Sequence, residues 1–344
     1  MDVLYFLATH PHLLGLVFLG ISAGLSYVLV PYTIPLCRKL GMVAEISNRR
    51  SHKIPTPHGG GMLMPLIVTP LGLAFVGVAH PPFSAFLAML LTAGLFVAAV
   101  GWRDDRSHVD PRLRLAVHLP AVAVALVFLP QLFDFMPLWL EKVVLLLGWG
   151  WFVNLYNFMD GADGLSSSEA LPICAMIALV APGYAPIAAL IAGGCLGFLR
   201  VNWHPAKIFM GDVGATWLGY MLGGLLLVSC VDDTWSVIWP LAGITLVFCM
   251  DATSTLARRI LQGFQPWEPH KTFWFHRYMA LGHSHSQLAW AVAGVNIVLF
   301  AVGFISLKGG FPTTGFAASL LVMGGAAWYI RRSETRKKEP RHVS

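Results

Sequence analysis

Eleven apolar stretches recur along this chain of 344 residues, and they constrain its fold more than any single motif does. They fall at roughly 12–32, 60–79, 84–101, 114–130, 138–157, 169–182, 184–200, 213–231, 235–253, 287–306 and 312–331. A helix needs about 20 apolar residues to cross a bilayer. The stretches 169–182 and 184–200 are short and meet at Pro182-Gly183-Tyr184, so they read as a hairpin of tilted helices or a re-entrant pair. Only 12% of residues are charged and 56% are hydrophobic, with a mean hydropathy of +0.68. A soluble domain of this size would carry about 25% charged residues. The expected fold class is an all-α polytopic membrane protein of about 11 transmembrane helices, one membrane domain over 1–331 with a basic tail at 332–344.

Charge sets the expected orientation. With the N-terminus outside, only Lys142 and Lys308 lie on the outer side, and the other 21 of 23 basic residues lie inside. Basic residues collect on the cytoplasmic side of membrane proteins. The net charge of +6 therefore expresses topology and gives no reason to expect a nucleic-acid partner. The run from Arg331 to Lys338 reads as a topological anchor and a contact for anionic lipid. The first apolar run lacks a basic leader and a small-residue cleavage site, so it is expected to be retained. Five cysteines are scattered singly with no CxxC spacing, which supports neither a disulfide framework nor a structural zinc.

The polar clusters all fall on the predicted cytoplasmic side, as expected for one cleft open to that face. One runs from Asn48 to Gly61 and includes His52 and Lys53; a second is the pair Asp104-Asp105. Arg103 and Arg106 flank the pair, which reads equally as a cation site or as an interfacial salt-bridge cluster. In a third, Asn154, Asn157, Asp160 and Asp163 recur at every third residue, a slowly drifting polar stripe on an apolar helix. Gly161 and Gly164 then break that helix. Asn202 precedes Phe209-Met210-Gly211-Asp212-Val213-Gly214, where Asp212 suits either a metal or the N-terminus of a helix. Phe209 suits either stacking on a base or anchoring at the membrane interface. The last cluster holds His270-Lys271 and His276-Arg277. Asp and Asn oxygens together with phosphate suit Mg²⁺, with Mn²⁺ as a substitute. Arg, Lys, His and glycine-rich backbone suit phosphate.

These motifs resemble those of the polyprenyl-phosphate N-acetylhexosamine-1-phosphate transferases over roughly residues 12–331. The resemblance is carried by Asn157 to Gly164 and by Phe209 to Gly214, in the family's order. It implies a bacterial inner-membrane enzyme that binds a UDP-sugar and undecaprenyl phosphate and uses Mg²⁺, and it leaves a homodimer open. Asp104 and Asp105 are similar to the paired aspartates near the lipid phosphate, with Asp104 positioning or deprotonating the acceptor. Asp212 is similar to the principal metal ligand, with Asp105 and Asn157 beside it. Asn157, Asp160, Asp163 and Asn202 are similar to nucleotide or metal contacts, and Phe209 to the residue that stacks on uracil. His52, Lys53, His276 and Arg277 are expected to bind substrate, and His270 is expected to contact a phosphate and is counted among the catalytic residues.

The last loop carries neither a run of consecutive histidines nor three histidines around an Arg-Asp pair. It is most similar to the O-antigen-initiating group, whose sugars include N-acetylfucosamine and N-acetylquinovosamine beside N-acetylglucosamine. Phe273 stands where that group has His, and His276 offers a substitute imidazole. The reading from another class is a proton-coupled transporter that would use the cytoplasmic-face carboxylates, although only Asp251 lies near a span interior.

Overall fold

The computed structural model describes residues 10–44, 55–265 and 270–338. The helices are α1 (Pro11–Lys39), α2 (Leu63–Ala79), α3 (Ser84–Arg106), α4 (Pro111–Val127), α5 (Leu138–Met159), α6 (Leu165–Val180) and α7 (Ala185–Asn202). After them come α8 (Gly211–Val228), α9 (Thr234–Ile244), α10 (Leu246–Leu261), α11 (Trp274–Ala280), α12 (His285–Lys308) and α13 (Pro312–Lys338). A two-residue antiparallel ladder, Val43–Ala44 against Thr56–Pro57, is a local exception to the all-α class.

Each apolar stretch is helical, but they do not all qualify as spans. Among the described residues eight helices are long and apolar enough to cross a membrane, and up to nine if α9 and α10 form one broken span. The expected count of about 11 is not reached by this measure. Helices α4 and α6 have 17 and 16 residues, short of the ~20 that a bilayer requires. The stretch 235–253, read as one span, is two helices bent by 70° at Thr245. Hydropathy averages over a window and does not register a bend inside it. The basic tail is not a separate element either, because α13 continues through it to Lys338.

Helices α7 and α8 form the hub, with 78% of each membrane-length window buried against 22% for the last helix. Small residues let the backbones approach. A Cβ on Gly193 would sit 2.5 Å from Leu19 O of α1, and one on Gly197 would sit 2.6 Å from Ala23 O. In the same seam Ser22 Oγ donates to Leu190 O at 2.7 Å and Ser26 Oγ to Gly194 O at 2.9 Å. Close backbone approach with hydroxyl hydrogen bonds is how membrane helices associate when lipid is as apolar as their side chains. Trp149 of α5 stacks on Tyr220 of α8 with ring centroids 5.0 Å apart, and its Nε1 donates to Tyr220 O at 2.9 Å.

Two further contacts place the polar residues. A Cβ on Gly101 would lie 2.6 Å from Asp212 O, so the end of α3 lies against the first turn of α8. Gly61 and Gly214 also meet directly, a Cβ on Gly61 reaching 2.5 Å from Gly214 Cα. Gly60 N and Gly61 N donate to Phe209 O and Met210 O, and Phe209 N donates to Pro57 O. The proline- and glycine-rich turn at 55–61 is thereby tied to the segment entering α8.

Candidate active site

The ends of α3 and α5 and the starts of α8 and α12 enclose a cleft of about 470 Å³. Asp104, Asp105, Asn157, Asp160, Asp163, Asn202, Phe209, Asp212 and His276, nine of the residues singled out in the sequence, line it. His52 and Lys53 lie outside the described residues.

The adjacent aspartates do different things. Asp105 is buried, and both its oxygens accept backbone amides of α8, Oδ1 from Asp212 N at 2.9 Å and Oδ2 from Val213 N at 3.1 Å. It supplies from another helix the carboxylate that a helix N-terminus favours. Gly211 has φ +77 at this junction, and a Cβ there would lie 2.5 Å from Asp105 Oδ2, so glycine fits both the backbone and the contact. Asp104 faces the cleft. Its Oδ1 accepts from Val109 N at 2.7 Å, and its Oδ2 accepts from Arg114 Nη1 at 2.7 Å. The same Arg114 Nη1 donates to Asp212 Oδ2 at 2.9 Å.

Arg114 was missed in the sequence, where it counted only as a basic span end. Asp110 caps α4 by accepting from Arg112 N at 2.7 Å, with Pro111 at the first helical position. That start places Arg114 one turn in, ten residues after Asp104.

One cationic nitrogen thus stands between two carboxylate oxygens contributed by different helices. Asn157 turns its buried side-chain amide toward the Asp212 carboxylate. A half-turn of that amide exchanges its nitrogen for its oxygen. Asp104, Asp212 and Asn157 then form an all-oxygen set that fits a hard divalent cation. The expectation that Asp105 is a third ligand meets the fact that both its oxygens already accept amides.

The Asn/Asp ladder also divides its work. Asp160 ends α5 and accepts from Ser166 Oγ at 2.6 Å. Burial pushes its carboxyl up to about 7, with Asp212 and Asp163 adding to the rise. Asn202 is buried; its Oδ1 accepts from Gly164 N and its Nδ2 donates to Ile208 O, both at 3.0 Å. It fastens the turn after α5 to the segment entering α8, a structural duty that the sequence reading assigned to nucleotide contact.

The last cluster splits. His276 lines the cleft, its ring packed on Phe275 and its Nδ1 buried without a hydrogen-bond partner. Burial, then Lys271 and His270, bring its pKa down to about 4, so it is neutral near pH 7. His270 does not line the cleft; its Nδ1 accepts from Thr272 Oγ1 at 2.9 Å, and its ring lies against Phe273. Burial and the nearby Arg259 and Arg258 hold it at about 4. Arg277 faces away, paired with Glu334 of α13 through Nε–Oε1 at 2.8 Å and Nη2–Oε2 at 2.6 Å. Asp251, the transporter candidate, accepts from Trp274 N at 2.6 Å and Phe275 N at 3.1 Å, and so anchors α11. His58, His108 and His285 also line the cleft and were not singled out as site residues.

The family model described as glycosyl transferase family 4 matches residues 87–230, the stretch that contains Asp104, Arg114, Asn157 and Asp212. A decaprenyl-phosphate N-acetylglucosaminephosphotransferase of Mycobacterium tuberculosis is 27% identical, over 86% of this chain and 83% of its own length. A Bacillus subtilis protein named probable undecaprenyl-phosphate N-acetylglucosaminyl 1-phosphate transferase is 30% identical, over 81% of this chain and 79% of its own. A phospho-N-acetylmuramoyl-pentapeptide-transferase of Thermosynechococcus vestitus is 31% identical, over 69% and 68%. With a relative of that identity aligned along most of both chains, and the family's matched region spanning the carboxylate cleft, this chain belongs to glycosyl transferase family 4.

Proposed function

We propose that this protein transfers an N-acetylated hexosamine-1-phosphate from a UDP-sugar to undecaprenyl phosphate, releasing UMP and leaving an undecaprenyl-diphosphate-sugar. The names of the relatives support the polyprenyl-phosphate acceptor and the sugar-phosphate donor. The observation that carries the reading is the convergence of Asp104 Oδ2 and Asp212 Oδ2 on a single cationic nitrogen beside the buried amide of Asn157. With a divalent cation held by those oxygens, such a point would suit the diphosphate of a nucleotide sugar.

In this reading an oxygen of the lipid phosphate attacks the sugar-side phosphorus. The bond from that phosphorus to the bridging oxygen breaks, and UMP departs with the bridging oxygen. Mg²⁺, with Mn²⁺ as a substitute, would be held by Asp104, Asp212 and Asn157 and would neutralise charge on the diphosphate. Arg114 would orient phosphate oxygens that reach the carboxylate pair. His276, neutral at pH 7, donates or accepts a hydrogen bond without adding charge. Phe209 offers its ring to the base. A phosphate monoester is largely ionised near pH 7, so Asp104 acts through position more than through proton removal.

An apolar groove of about 390 Å³ between α10, α11, α12 and α13 supports a place for the polyprenyl chain. Phe275 separates it from the cleft, facing Gly161 on one side and lining the groove on the other. The site is read as facing the cytoplasm from the bacterial inner membrane, following the charge asymmetry. The final loop favours initiation of O-antigen or another envelope polysaccharide, with N-acetylglucosamine, N-acetylfucosamine or N-acetylquinovosamine as the sugar. No observation favours the transporter alternative, since Asp251 is committed to anchoring α11. The test is UMP release by purified protein with undecaprenyl phosphate and a panel of UDP-sugars. Full activity in Asp212→Asn would sink the site assignment, and no release with any donor would sink the reaction.

A further inference from the structure

Asp163, His204 and His285 lie far apart in the chain, 41 and 122 residues from Asp163. Nothing in their spacing suggests a common site, yet the structure gathers them at the edge of the cleft. His204 Nδ1 is 2.6 Å from Asp163 Oδ2, and His285 Nδ1 is 3.5 Å from Asp163 Oδ1. All three candidate ligand atoms lie within 4.8 Å of one another. The two imidazoles are nearly parallel, at 7° with centroids 5.3 Å apart, and both turn Nδ1 toward the same carboxylate.

The hydrogen bonds fix which nitrogen faces the carboxylate. Asp163 N donates to His285 Nδ1 at 3.2 Å, so that nitrogen is unprotonated and its lone pair points toward Asp163. Asp163 Oδ1 lies 3.5 Å from the same nitrogen. A cation held by both would take the place of the weak amide contact. Asp163 Oδ2 accepts from His204 Nδ1 and also from Ala206 N at 3.1 Å, which fixes the direction of the carboxylate. The platform is rigid. His285 opens α12 behind a capping box between Ser284 and Gln287, and Trp203 packs edge-on against Trp290 of the same helix.

We propose that Asp163, His204 and His285 form a second cation site, selective for a divalent transition metal such as Zn²⁺ or Co²⁺. Two imidazole nitrogens and one carboxylate suit those ions, whereas Mg²⁺ takes oxygen ligands. The site is distinct from the oxygen set at Asp104, Asp212 and Asn157, and it does not depend on the proposed transfer reaction. Filling it displaces the proton of His204 Nδ1 and joins the turn after α5 to α12.

The test uses tag-free, chelator-treated, full-length protein in detergent, titrated with Co²⁺ in the presence of excess Mg²⁺. One equivalent of Co²⁺ with intense visible d–d bands is expected, displaced by Zn²⁺ and not by Mg²⁺. His204→Gln and His285→Gln should each weaken Co²⁺ binding by about 10-fold or more, the scale on which altered metal surroundings act. Displacement of Co²⁺ by Mg²⁺, wild-type binding in both variants, or no binding at all would each overturn the proposal. Should a variant fail to fold, Cu²⁺-loaded wild-type protein decides by electron spin-echo spectroscopy. Two coupled imidazoles support the site, and one or none refutes it.

Discussion

Asp105 holds the first turn of the helix that carries Asp212, its Oδ1 accepting the Asp212 amide at 2.9 Å. Asp104, its neighbour, holds no amide of that helix: it lines the cleft and accepts from Val109 N and Arg114 Nη1. Asp105→Asn should therefore lower the thermal midpoint as well as turnover, at a cost of about 2 kcal/mol for charge-assisted hydrogen bonds. Asp104→Asn, whose amide can still accept from Val109 N, should lower the midpoint less than Asp105→Asn and reduce UMP release by about 10²–10³-fold, as expected for loss of an electrostatic group. Equal midpoints for the two variants would contradict this division.

Arg114 joins Asp104 and Asp212 through a single nitrogen. Arg114→Ala leaves two carboxylates facing one another and should reduce turnover by about 10²-fold. Arg114→Lys keeps the charge and should retain more activity than Arg114→Ala. Steady-state kinetics over a Mg²⁺ series would check both. Identical rates in the two variants would show that charge at this position is irrelevant.

Gly211 combines φ +77 with a side-chain direction blocked by Asp105. Gly211→Ala should destabilise the protein by at least about 1–2 kcal/mol from backbone strain alone, and the contact adds to that. Gly24→Ala is the control, because nothing lies within 4 Å of a Cβ there. Melting curves in detergent should separate the two, and equal midpoints would count against the close packing at the start of α8.

His270 and His276 sit at about 4 in the folded chain against an ordinary 6.5. The unfolded loop binds protons that the folded loop resists, so their contribution is complete above about pH 6.5 and falls as pH drops toward 4. Wild-type protein should lose thermal stability across that window more steeply than a His270→Asn, His276→Asn double variant. Parallel pH profiles would remove the argument.

Arg277 and Glu334 form a two-point pair that ties α11, which bears His276, to α13. Glu334→Arg should impair turnover, and adding Arg277→Glu should restore a measurable part of it. If the double reversal is no better than the single one, the pair does not position α11.

The helical class and the carboxylate cleft were legible because both are local. Hydropathy runs along one helix at a time, and the Asn/Asp ladder and the Phe-Met-Gly-Asp turn are contiguous. Partnerships across the chain were not. Asp104 and Asp105 look alike in sequence, and only the approach of α3 to α8 through Gly101 assigns one to amides and the other to the cleft. Asn202 resembled a ligand contact because a buried amide and a substrate-facing amide have the same one-letter code. Arg277 was read toward substrate because its partner, Glu334, lies 57 residues downstream in a tail taken for an anchor. The break at Thr245 was invisible because both halves are apolar.

The seam between α1 and α7 bears on how the chain is assembled at the ribosome. Ser22 and Ser26 find their acceptors 168 residues later, at Leu190 and Gly194. At about 5–20 residues per second, the first helix waits on the order of ten seconds or more for its partner to be synthesised. During that time its hydroxyls lack those acceptors. Helix α1 is made well before α7 and meets it late, and substitutions at Gly193 or Gly197 should therefore show up as prolonged exposure to membrane quality control.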